Sequence, residues 1–396
     1  MDRRTFLRTG LAGTAAGAAA LAGCSDLFSV QAGGIKERMP PLPENRPDAV
    51  YYPSHIEGMK MAGMASTNAN GSSDRTERTR PANNHTNNST SGQRTNSGGY
   101  KCALTYSYPH RFWTVTGNRT KKVTIENGDS MHLMVSVWDP ETSIYPMDAN
   151  PTITVSKNGD SVTTVSPWTM LSQNMGFHAG DNVPLPGAGD YSVTVDVPPT
   201  SARRTGAFEG RFSSQQSFEF ELTYDPQKMS NIMFKKLEER AGTRGAVDPM
   251  EMKKMPLALA PKKSALPGQL LGTTRTGDGV FVMTVLDDAS RFGAAEKTYL
   301  AVSARTPYNR YILPAMSLSA QVKRGTKTVF DGPLQATLDP KLNYHYGAAV
   351  ESIEAGDTIT LAVDAPPQVA RHEGYETAFL DMPSKTLTVG RGTTRQ

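Results

Sequence analysis

Short runs of alternating apolar and polar residues fill two long stretches of this chain, and that period of two dictates the class of fold. Between 100 and 225, Leu133, Val135 and Val137 alternate with polar or softer neighbours. So do Tyr191, Val193, Val195 and Val197, and again Phe218, Phe220, Leu222 and Tyr224. The rhythm returns from 269 to 390, with Leu300, Val302 and Ala304, then Leu318, Ala320 and Val322, then Ile359, Leu361 and Val363. Successive strand side chains point to opposite faces, so each run offers one face to a core. Many such runs, separated by turns such as Asn158-Gly159, predict an all-β fold: two immunoglobulin-like β-sandwich domains in tandem.

The two stretches read as copies of each other at an offset of 167 residues. His132-Leu-Met-Val-Ser-Val-Trp-Asp-Pro140 aligns with Tyr299-Leu-Ala-Val-Ser-Ala-Arg-Thr-Pro307, and Phe177-His178-Ala-Gly180 with Tyr344-His345-Tyr-Gly347. Gly189-Asp190 leads to Pro198-Pro199 as Gly356-Asp357 leads to Pro366-Pro367. The order of several separate landmarks agrees, which points to a duplication.

The ends and joints have their own signatures. Arg3-Arg4 followed by Phe6-Leu7, an apolar run and Leu21-Ala22-Gly23-Cys24 form a twin-arginine lipoprotein signal over 1–23, with Cys24 the lipidated residue. The apolar run is too short for a spanning helix of ~20 residues. The expected product is exported by the twin-arginine pathway and lipid-anchored on the outer face of the cytoplasmic membrane. Residues 24–48 read as a tether, and 49–225 as the first sandwich, with a disordered insertion at 65–99 rich in Ser, Thr and Asn. Sequons at Asn84, Asn87 and Asn88 fall inside it. Residues 226–268 read as a linker carrying a short helix over 228–240 and the methionines Met250, Met252 and Met255. The second sandwich takes 269–390.

Charge excludes one class of partner. The formal charge of +4 falls close to neutral once Arg3, Arg4, Arg8 and Asp2 leave with the signal, so nucleic acid is not expected. With Cys24 lipidated, Cys102 stands alone and no intrachain disulfide is available. No phosphate-binding loop, nucleophile elbow, zinc-protease motif or acid/base pair is present, and the chain is not expected to be an enzyme.

A candidate metal site lies on the far face of one strand. Leu133, Val135 and Val137 point inward, which leaves His132, Met134 and Ser136 on the opposite, outward face. Met170, Met175 and His178 follow in one segment. Thioethers select Cu(I), and imidazole suits copper, iron and zinc, so a mixed His/Met set is suited to a soft or borderline metal. His55, Met59, Met61 and Met64 form a further strip near the start, either extra ligands or an edge strand with its own buried methionines. His110 sits in an aromatic cluster and reads as structural.

These residues carry a resemblance. Met170 with His178, Gly187-Ala-Gly-Asp-Tyr191, Val193-Thr-Val-Asp-Val-Pro-Pro199, Gly210-Arg-Phe212 and Phe218-Glu-Phe-Glu-Leu-Thr-Tyr224 resemble the periplasmic Fe2+ transport protein family. These are immunoglobulin-like copper- and iron-binding partners of an iron permease. The likeness runs roughly over 50–225, and the second domain resembles the family only as a divergent copy. It implies His132, Met170 and His178 as metal ligands, with Met134 where the family tends to have a carboxylate. Ile56-Glu57-Gly58-Met59 resembles the family's N-terminal Met-rich segment, and Met59 and Met61 are candidate further ligands. The family's imidazole after Pro-Pro is replaced here by Arg203-Arg204. In the second half only His345 persists, with His372 near the Arg203-Arg204 counterpart, and that half is expected to lack the site.

The expected function is capture of Fe(II) or copper, with the ion's identity open, for uptake by a membrane iron permease. A homodimer is left open. The rivals are a structural or adhesive cell-surface sandwich protein and a copper-only binding protein.

Overall fold

The computed structural model describes residues 39–67, 73–74 and 99–390. The signal with Arg3 and Arg4, the lipidation position Cys24 and most of the 65–99 insertion lie outside them. The first half contains β1 (His55–Glu57), β2 (Lys60–Thr67), β3 (Ser73–Asp74), β4 (Lys101–Ser107), β5 (Phe112–Thr116), β6 (Arg119–Val123), β7 (Asp129–Trp138), β8 (Thr152–Lys157), β9 (Asp160–Val165), β10 (Trp168–Ser172), β11 (Gly176–Pro184), β12 (Gly189–Val197), β13 (Arg203–Arg204), β14 (Gln216–Tyr224) and β15 (Phe234–Lys236). The second contains β16 (Gln269–Thr276), β17 (Gly279–Leu286), β18 (Thr298–Arg305), β19 (Ser317–Arg324), β20 (Lys327–Asp339), β21 (Asn343–Val350), β22 (Thr358–Ala365), β23 (Ala370–Arg371) and β24 (Lys385–Thr388). The fold is all-β, and among the described residues no helix is long and apolar enough to cross a membrane.

Strand order repeats between the halves. β2-β4-β7-β11-β10 faces β14-β12-β8-β9 in the first, and β16-β17-β18-β21-β20 faces β24-β22-β19-β20 in the second. The long β20 serves both second-half sheets, pairing with β19 up to Leu334 and with β21 from Gln335. Its first-half equivalent is cut into β9 and β10 around Pro167, whose missing N–H cannot join a ladder. The inward residues Leu133, Val135, Val193, Val195, Phe218 and Phe220 share one apolar core. Each such side chain, fully buried, contributes roughly 1.5–3 kcal/mol of transfer free energy.

Two short strands cross between the halves. β23, just after Pro366-Pro367, pairs in parallel with β10, matching Met170 to Ala370 and Leu171 to Arg371. β13, just after Pro198-Pro199, pairs in parallel with β20, matching Arg203 to Thr337. On the far side of β23 lies β5, hairpinned to β6. This crossing extends the first-half sheet, and β7 is buried along both faces. The outward face expected for His132 and Met134 is therefore interior.

The 226–268 segment departs from expectation. Asp225 caps a single helical turn, Pro226–Met229, by accepting from the N–H groups of Gln227 and Lys228. The helix does not continue to 240, because Phe234–Lys236 extends to pair with β1. Met229 and Ile232 are buried, whereas Met233 is 49 % exposed. The methionine stretch is not a loose linker: Met255 is buried, Met252 lies against the core, and the Met250 N–H donates to the Asn174 carbonyl at 2.7 Å.

Candidate metal centre

The centre forms on the face of β7 turned away from the core. β7 carries His132 and Met134, which stand in register with Asn182 and Gly180 of β11. The next residue along that face of β11 is His178, directly opposite Met170 on β10. Gly180 is what makes room: a Cβ there would lie 2.6 Å from His132 Nε2, 3.2 Å from the His178 ring and 3.3 Å from Met134 Cγ. His132, Met134 and His178 thus converge over one glycine.

Two further imidazoles complete the cluster. β4 ends at Ser107, in register with His132, and the chain turns through Pro109 to lay His110 over His132 with ring centroids 4.0 Å apart. His372 follows β23, and its N–H donates to the Leu171 carbonyl at 3.0 Å. Its ring lies 4.7 Å from His110 and 5.2 Å from His178, and its Nε2 is 3.1 Å from Met170 Sδ. One ligand-capable nitrogen from each of His110, His132 and His372 lies within 4.8 Å of the others. With metal–nitrogen bonds of ~2.0–2.1 Å, nitrogens sharing one ion in tetrahedral or trigonal geometry lie about 3.3–3.6 Å apart, so side-chain adjustment of about an ångström brings the set onto one ion. All four histidines, Met134 and Met170 are buried.

Hydrogen bonds orient the rings. His132 Nδ1 donates to Asn182 Oδ1 at 2.9 Å, and Asn182 Nδ2 donates to the His110 carbonyl at 2.9 Å. His178 Nδ1 donates to the Gly176 carbonyl at 3.2 Å. His110 Nδ1 faces the Tyr108 carbonyl at 2.8 Å and Glu57 Oε1 at 3.1 Å. In each ring the proton belongs on Nδ1, which leaves Nε2 as a lone-pair donor. The Nε2 atoms of His110 and His178 are buried without a hydrogen-bond partner. Burial lowers the His178 pKa to about 4 and pushes His110 below its usual range. His372 falls well below, through burial first and then the neighbouring histidines. These rings are neutral at pH 7, the form a metal requires. Partnerless buried nitrogens, a glycine cradle and a soft donor set all fit a metal ion, and the centre is one that can hold it.

A small cleft of about 40 Å³ reaches this cluster, lined by His55, Glu57, His110, Met175, His372 and Glu373 among others. Burial works against the Glu57 charge, but His110, His55 and Arg111 outweigh it and hold the carboxyl at about 2.

The predicted residues separate into two groups. His132, Met134, Met170 and His178 meet in the centre. Met59 and Met61 do not join them: Met59 is half-buried against the apolar core, and Met61 is 42 % exposed on β2, two strands away from β7. Sequence reasoning missed His110 as a member and assigned nothing to His372. The latter is the imidazole that the first half lacks after its own Pro-Pro. It occupies in the repeat the position of Thr205, and the second half supplies it across β23.

The equivalent position in the second half is filled. Tyr299 replaces His132, Ala301 Met134, Thr337 Met170, and Thr205 takes the role of His372. The Tyr299 hydroxyl lies 3.2 Å from His345 Nε2, and a Cβ on Gly347 would be 2.3 Å from that hydroxyl. Phe292 stacks on Tyr299 at 3.5 Å, as His110 covers His132.

Comparison with known proteins adds little. Residues 264–388 match a family described as Domain of unknown function (DUF7350). No curated protein matches the chain. Two solved structures of FetP from uropathogenic Escherichia coli strain F11, one as isolated and one a copper-bound variant, are each 18% identical with a TM-score of 0.25. They cover 32% of this chain and 87% and 89% of their own. A TM-score of 0.25 is too low to carry fold or function from one protein to the other.

Proposed function

We propose that this chain is an exported, lipid-anchored metal carrier that holds one copper or iron ion in the His/Met centre and passes it to a membrane permease. The observation that carries the reading is the buried cluster of His110, His132 and His372, one ligand nitrogen of each within 4.8 Å of the others, with Met170 Sδ beside His372 and the Nε2 atoms of His110 and His178 buried without a hydrogen-bond partner. Leaving such groups bare costs about 1–3 kcal/mol each, which an ion would recover. Binding and release, rather than catalysis, is the role suggested by a closed donor set with a narrow cleft. Anchoring would raise the carrier's effective concentration beside a permease in the same membrane.

Copper is favoured over iron. Met170 supplies a thioether, and the Glu57 carboxylate, 3.1 Å from His110 Nδ1, stands behind that ring on the side away from Nε2. The test is calorimetric titration of the purified full chain with Cu(I), Cu(II), Fe(II) and Mn(II), beside His132→Ala/His178→Ala. One ion bound by the parent and none by the double variant supports the carrier. Equal binding by both, or none by either, leaves the adhesive sandwich reading in its place.

A further inference from the structure

We propose that Glu57 is the charged group that tunes His110 as a metal donor, tying the N-terminal strand β1 to the centre. This rests on the metal reading above. Glu57 is buried, with Oε1 3.1 Å from His110 Nδ1 and Oε2 3.0 Å from His55 Nε2. His55 Nδ1 in turn meets Ser54 Oγ at 2.9 Å. The strand is fixed from three sides. It pairs with β15, Asn174 Nδ2 donates to the Glu57 carbonyl at 2.9 Å, and Ser107 Oγ donates to the Gly58 carbonyl at 2.7 Å. The carboxylate therefore sits on a braced element between two imidazoles, His55 outside the centre and His110 within it.

The chemistry follows from that contact. The Tyr108 carbonyl, 2.8 Å from His110 Nδ1, accepts its proton and leaves the lone pair on Nε2, while the Glu57 carboxylate, 3.1 Å from the same Nδ1, adds its negative charge to that ring. That negative charge beside the Nδ1–H makes Nε2 the stronger electron donor. Every ring and thioether in the centre is neutral, so the Glu57 charge, one imidazole away, is the anion in direct contact with a donor ring. An anion so placed stabilises a more highly charged ion over a less charged one. Glu57 accordingly biases the centre toward Cu(II) over Cu(I), without itself taking a coordination position.

The experiment uses the purified full chain, with copper as the probe. Affinities for Cu(I) and Cu(II) come from chelator competition, and the Cu(II)/Cu(I) potential from spectroelectrochemistry. Variants are Glu57→Gln, Glu57→Asp, His110→Ala and the Glu57→Gln/His110→Ala pair. Glu57→Gln keeps the shape and loses the charge; Cu(II) affinity should fall 10–100-fold with Cu(I) affinity little changed. The potential should then rise by about 60–120 mV, at 59 mV per tenfold. Glu57→Asp, which keeps the charge and shortens the reach, should fall between. Once His110 is gone, Glu57→Gln should add nothing. An unchanged potential in Glu57→Gln, or additive effects in the pair, would overturn the proposal while leaving the carrier reading intact. Failure of the parent chain to bind copper would overturn both.

Discussion

The centre in the first half and its counterpart in the second occupy the same frame and differ in what fills it. Each lies between two equivalent strands, over a glycine, beneath a covering ring, beside a strand that crosses from the other half. In the first, three imidazole nitrogens face each other across a gap. In the second, the Tyr299 hydroxyl closes that gap and bonds to His345. The same backbone thus supports an ion site or a plugged core, and five side chains decide which. What the comparison teaches is that the duplicated frame is held by strand pairing and apolar burial, independently of the ion.

The largest break in the comparison should come from the ligands. His132→Ala/His372→Ala should abolish stoichiometric copper binding, whereas Tyr299→Ala/Thr205→Ala, at the equivalent positions, should leave it untouched; both are read by equilibrium dialysis.

Next are the two arginines that hold the crossing segments. Arg371 is fully buried and donates to the carbonyls of Pro367, Tyr375, Ala378 and Phe379. Its equivalent Arg204, half-buried, donates to Arg211 and Phe212. Losing a charged donor and stranding its buried acceptors makes Arg371→Ala costly, about 3–5 kcal/mol, against about 1 kcal/mol for Arg204→Ala, in urea denaturation.

Acid acts on one matched pair of histidines in the two halves, while His110 and His372 add to the effect at the first centre only. Burial lowers both His178 and His345 to about 4. Their folded values lie below the unfolded value of about 6.5, so stability is full above pH 6.5 and falls as pH drops toward 4. Each of these two histidines contributes roughly 3 kcal/mol of this loss. His178→Gln and His345→Gln should each flatten the metal-free curve to a similar degree. Copper added at pH 5 should restore stability only while the first-half centre is intact.

The smallest effect belongs to Tyr299→Phe. It removes one hydrogen bond to His345 and should lower stability by about 1 kcal/mol with no change in copper affinity.

Much of this was legible in the residues, and the reasons differ by element. The inward set Leu133, Val135 and Val137 needs only the local alternation, and the repeated landmarks point to the repeated strand order. His132, Met134, Met170 and His178 were found because they lie on adjacent strands with the right parity. His372 was not, because it reaches Met170 from 202 residues away through a two-residue parallel crossing, and no local pattern marks such a pairing. His110 lies in a turn, where strand parity gives no direction. The helix expected over 228–240 had apolar spacing in its favour, yet β1 offered backbone partners that spacing cannot register. Met61 has the parity of the site face, but each strand adds ~4.8 Å, and two strands put it out of reach.

The reciprocal crossing of β13 and β23 has a mechanical consequence. Each half grips the other with its own strand, as two clasped hands do, so neither can withdraw without letting go on both sides. A cargo seated beneath the clasp cannot leave by the halves parting unless both grips fail together. Among the described residues, the cleft beside His55, Glu57 and His372 reaches the centre without the halves having to part.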